Sequence, residues 1–116
     1  MKKFKIGLIT LTLVLAMLFT VACAGLEIDD LYVRLSEESN ITVTQITTLG
    51  EDTFFSATRD GVTIGVHSHV GSAANIRTTE FVAFQERIEG TSVVRRGNTV
   101  IYGPSGTFFD FVVGLR

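Results

Sequence analysis

The chain's only two histidines, His67 and His69, stand either side of Ser68. Alternate residues of a β-strand share a face, so both imidazoles project to the same side. Spaced about 6.5–7 Å along a strand, they suit joint ligation of one metal ion. A third ligand follows from the neighbouring residues. Asp60-Gly61 separates two β-rich runs, residues 53–59 and 62–70. Such a pair favours a two-residue hairpin turn, because a type I′ turn needs positive φ at both positions. Counting outward from that turn sets Arg59 against Val62, Phe55 against Val66 and Phe54 against His67. One step further, Asp52 faces His69 and becomes the third candidate ligand, with Glu51 as the alternative. The plainer reading of the same residues is two exposed imidazoles, with His67 stacked on Phe54.

Other constellations fall short of chemistry. Ser68 or Ser72 with His69 and Asp52 would supply the residue types of a nucleophilic triad, but no Gly-x-Ser-x-Gly elbow accompanies them. The carboxylate pairs Asp29-Asp30, Glu37-Glu38 and Glu51-Asp52 are adjacent in sequence, so their members diverge on a helix or a strand. They read as solvated charges rather than a glycosidase pair. Gly103-Pro104-Ser105-Gly106 lacks the Gly-Lys-Ser/Thr signature of a phosphate loop. No catalytic residue and no cofactor is therefore assigned, and the expected function is non-enzymatic.

The elements that must position the histidines are legible from periodicity. Residues 27–38 read as a helix, with Ile28, Leu31, Tyr32 and Leu35 on one stripe and acidic residues at its N-terminus. Residues 41–48 are β-branched and read as a strand, with a bulge or early end near Gln45 where the apolar alternation breaks. Residues 72–89 admit two readings: a strand by propensity over 76–84, or the preferred helix capped by Ser72 and stopped at Gly90, with Phe81, Phe84 and Ile88 as its apolar positions. A second hairpin, 91–96 with 99–103, turns at Gly97-Asn98. Arg95-Arg96, the only basic pair, reads as a solvated hairpin end. Residues 107–115 read as a closing helix or an edge strand, with helix preferred for the spacing of Phe108, Phe111, Val112 and Leu115. Phe108 and Phe109 point to different sides of it, a hint that one is exposed to a partner. The order is α-βββ-α-ββ-α. The expected class is α+β, with about five mostly antiparallel strands and two or three helices packed on one face.

Composition places this domain. At 116 residues, with 46% hydrophobic and 19% charged residues, the chain suffices for one small core. A single cysteine excludes an internal disulfide framework and a Cys-based zinc site. Lys2, Lys3 and Lys5 precede an uncharged apolar run, residues 6–22, which ends in small residues before the acidic Glu27. Basic, apolar, small, polar is the order of a secretory signal peptide. All the lysines lie in that leader. Seven arginines against twelve carboxylates then leave the rest of the chain a net charge of −5. That balance argues against a nucleic-acid partner or an anionic-lipid surface.

Thr20-Val21-Ala22-Cys23 resembles the lipobox of bacterial lipoproteins, with Thr20 standing where leucine is usual. The resemblance covers the leader alone. It implies a diacylglyceryl anchor on the Cys23 thiol and cleavage before it. Ala22-Cys23-Ala24 also fits an A-x-A site that would release a soluble protein, and an uncleaved anchor is the third alternative. The expected organisation is a signal peptide over 1–22, a lipidated Cys23 and short tether over 23–26, and a domain over 27–116. At about 3.5 Å per residue the four-residue tether reaches about 14 Å. The domain is expected at the extracytoplasmic face of the cell membrane, held by lipid on Cys23, with another envelope protein as partner.

Overall fold

The computed structural model describes residues 27–115, so the expected signal peptide and Cys23 tether lie outside the described residues. Among the described residues three helices and six strands follow one another. They are α1 (Ile28–Ser36), β1 (Thr42–Val43), β2 (Thr47–Leu49), β3 (Asp52–Arg59), β4 (Val62–His69), α2 (Ala74–Glu86), β5 (Thr91–Arg96), β6 (Thr99–Pro104) and α3 (Thr107–Gly114). The fold is α+β with an antiparallel sheet ordered β1-β3-β4-β6-β5. β2 pairs with β3 beyond β1, on the Asp52 half of that strand.

The expected single strand over 41–48 is thus two short ones, separated near Gln45. Thr44 shows how the chain leaves the ladder. Its N–H donates to the Ser56 carbonyl, while its own hydroxyl replaces a backbone carbonyl and accepts the Ser56 N–H at 2.9 Å. The β3–β4 hairpin has the expected register throughout, from Arg59 against Val62 to Asp52 against His69. Asp60 and Gly61 both take positive φ (52° and 79°), as the type I′ turn demands. Gly97 alone is left-handed in the second hairpin turn.

The two faces of the sheet differ in chemistry. On one, Phe55, Ala57, Ile64, Val66 and Ile101 meet Ile28, Leu31 and Leu35 of α1 and Phe108, Phe109 and Val112 of α3. Each fully buried aliphatic or aromatic side chain contributes about 1.5–3 kcal/mol, so this layer is the main source of stability. The opposite face carries Asp52, Phe54, His67, His69, Val100 and Tyr102, and α2 lies over it, with Phe81 against both histidines and Tyr102.

Helices therefore cover both faces rather than the one expected. The alternation that sends Val66 inward sends His67 and Phe54 outward, and that second face also needs cover. Nor are the histidines on an exposed strand face: His69 is 5% accessible. Phe108 and Phe109 are both buried, because the apolar stripe of α3 spans neighbours about 100° apart. Neither is left for a partner. Among the described residues no helix is long and apolar enough to cross a membrane.

Candidate functional site

Asp52, His67 and His69 come together at the end of the β3–β4 hairpin away from its turn. One ligand-type atom from each lies within 4.8 Å of the others. The two imidazoles stack along β4 with centroids 4.6 Å apart and planes at 23°. Phe54 stacks on the free side of His67 at 5.5 Å, as the plainer sequence reading expects, and Phe81 closes over both rings from α2.

Helix α2 supplies the polar partners. Arg77 Nη2 donates to Asp52 Oδ1, and Arg77 Nη1 lies 3.6 Å from Glu51 Oε2. The adjacent carboxylates of Glu51 and Asp52 thus share one guanidinium instead of standing free. His67 Nε2 sits 3.4 Å from the other Asp52 oxygen, Oδ2. It is nonetheless a buried nitrogen with no hydrogen-bond partner, because the approach does not meet hydrogen-bond geometry. Burial raises the Asp52 carboxyl. The Arg77 hydrogen bond, the adjoining His67 and the charge of Arg77 outweigh it and hold Asp52 below the ordinary carboxylate value.

His69 is held from beneath the helix. Its Nδ1 is 3.2 Å from Thr78 Oγ1, which is itself 2.7 Å from the Ala74 carbonyl. Threonine has one hydroxyl hydrogen. Given to Ala74, it leaves Thr78 an acceptor, so His69 carries its proton on Nδ1 and a lone pair on Nε2. Burial first, and the neighbouring His67 second, lower the His69 pKa and keep the ring neutral. The His69 N–H is met by the Asn98 carbonyl at 2.9 Å.

The triad's residue types do not assemble. Ser68 points to the opposite face, where its Oγ accepts a hydrogen bond from Thr99 Oγ1. Ser72 is exposed in the turn before α2. The hydroxyl that does meet His69 belongs to Thr78, which is 0% accessible. The two arginines of Arg95-Arg96 point to opposite faces. Arg95 holds Thr79 and Asn75 of α2, and Arg96 donates to the Val113 carbonyl of α3 at 2.7 Å. Arg95 stays exposed, as a solvated hairpin end would be, but both side chains also tie the hairpin to the two helix layers.

Sequence reasoning missed Arg77, Thr78, Phe81 as a lid, and Asn98. The facing stripe of α2 is Ala74, Thr78, Phe81 and Gln85, at helical spacing but half polar. Thr78 and Arg77 four and three residues after Ala74 were the available signal. It shows only once the covered sheet face is known to be polar. Phe84 and Ile76, by contrast, are 59% and 63% accessible, so the expected core role of Phe84 is wrong. Comparison with models of known protein families, with curated proteins and with solved structures finds no match for this chain.

Proposed function

We propose that this chain is an exported lipoprotein, anchored through Cys23 at the extracytoplasmic face of the membrane, whose α+β domain works there by binding rather than by catalysis. The observation that carries the reading is the leader: three lysines, an uncharged apolar run and small residues ending in Thr20-Val21-Ala22-Cys23. The described fold is compatible with a short tether. Its first helix begins at Ile28 and is locked into the core by Ile28, Leu31 and Leu35. The domain would then ride close to the lipid headgroups, within reach of envelope partners on the same surface. The net charge of −5 would hold it off an anionic bilayer.

The test is fractionation of cells that carry the full chain with Cys23→Ser. The unaltered protein is expected in the membrane fraction and the variant is expected to lose that attachment as a lipidated species. Equal, thioether-free recovery of both in the cytosol would overturn the reading.

A further inference from the structure

We infer that Asp52, His67 and His69 form a binding site for one borderline divalent transition ion, zinc in the first instance. The inference goes beyond anchoring and does not depend on it.

Four observations converge. First, His67 Nε2 is a buried nitrogen without a hydrogen-bond partner. Such an atom loses its hydration on folding and is costly unless something takes its lone pair. Second, Asp52 Oδ2 lies 3.4 Å from it. Two donors bound to a tetrahedral ion at about 2.0–2.1 Å stand about 3.4 Å apart, so this pair already has the required bite. Third, Thr78 fixes His69 with its proton on Nδ1, which turns the Nε2 lone pair into a ligand. Holding the far ring nitrogen in this way is how proteins orient metal-binding imidazoles. Fourth, the Arg77 guanidinium occupies Asp52 Oδ1, so Oδ2 remains for the ion.

The charge balance suits a cation. Asp52 and Glu51 flank the single positive charge of Arg77, so the carboxylates and guanidinium leave one net negative charge beside the imidazoles. One ligand-type atom from each residue lies within 4.8 Å of the others, so a separation must shorten by up to about 1.4 Å to reach the tetrahedral bite. Small rotations of partly accessible His67 and Asp52 can supply that. Two imidazoles and one carboxylate select zinc or copper(II) over calcium or magnesium, which take all-oxygen shells. Three protein ligands leave a fourth position for water.

The test uses the full chain in detergent, stripped with a chelator and titrated with zinc chloride. One zinc per chain is expected, with the histidine ring nitrogens shifting in ¹⁵N spectra as it binds. His67→Ala is expected to weaken binding at least a hundredfold. Thr78→Val, which removes the hold on His69 without touching a ligand, is expected to weaken it about tenfold to a hundredfold. Calcium is expected to leave the ring nitrogens unmoved. No zinc uptake by the unaltered protein, or uptake with unchanged ring spectra, overturns the inference whether or not the variants fold. Equal uptake by the unaltered and His67→Ala proteins does so too.

Discussion

At the residue scale, single polar atoms on the α2 side of the sheet set its character. Thr78 has one hydrogen and three neighbours that could take it, and its closest approach, to the Ala74 carbonyl, dictates the proton position on His69. Arg95 and Arg96 show the same economy, since strand alternation alone sends each guanidinium to a different helix. His69 also fixes a pH dependence for the metal-free protein. In the unfolded chain it takes up a proton near the ordinary value of 6.5, whereas in the fold burial and His67 hold it lower. Below 6.5 the unfolded state therefore binds more protons, and stability falls as pH descends toward the folded value. The loss linked to Asp52 comes later, below its ordinary 3.8, as its carboxylate is protonated. Urea midpoints measured between pH 7.5 and about 5 are expected to decline for the chelated protein. They are expected to flatten in His69→Gln; an unchanged slope would remove His69 from the account.

At the element scale, what the sequence could and could not reveal divides along the two faces of the sheet. The β3–β4 register was fully legible, because Asp60-Gly61 admits one turn geometry and the turn counts out every pair to Asp52 and His69. Helix α1 was legible for the same kind of reason, since Ile28, Leu31 and Leu35 keep one apolar stripe against an apolar face. Helix α2 was legible in place but not in orientation. An apolar-stripe rule assumes an apolar partner, and this partner is a polar and aromatic face that takes Thr78 and Gln85 and leaves Phe84 outside. Its start also lacks the expected Ser72 cap; Ala73 precedes the helix with no side-chain bond. Of the candidate site, the three ligand residues could be read from the hairpin, while Arg77 and Thr78 required the helix to be docked. Gly65 shows how tightly the docking is set. The Tyr102 ring lies across it, and a Cβ there would run into that ring. Tyr102 in turn meets Phe81 edge-on at 5.2 Å, and Phe81 lids the histidines. Gly65→Ala is expected to cost about 1–3 kcal/mol, read from the urea midpoint. A neutral result would mean that Tyr102 and α2 shift freely.

At the scale of the whole molecule, an acidic domain with one apolar core and one polar, aromatic layer follows the apolar run of residues 6–22, which is proposed to be an export leader. The layers divide the work. The Phe55, Ile64, Val66 and Ile101 face, with α1 and α3, carries stability, which frees the α2 face to keep polar groups buried at some cost. Proposed attachment at Cys23 would put both layers at the membrane surface, where a binding site works on what arrives at the envelope. The most direct measurement of that claim is mass spectrometry of the protein's N-terminus after isolation from its native cells. The account predicts a chain that begins at Cys23 and carries a thioether-linked diacylglycerol on the sulfur. A chain beginning at Met1 with a free Cys23 thiol, or one beginning after Ala24, would contradict it.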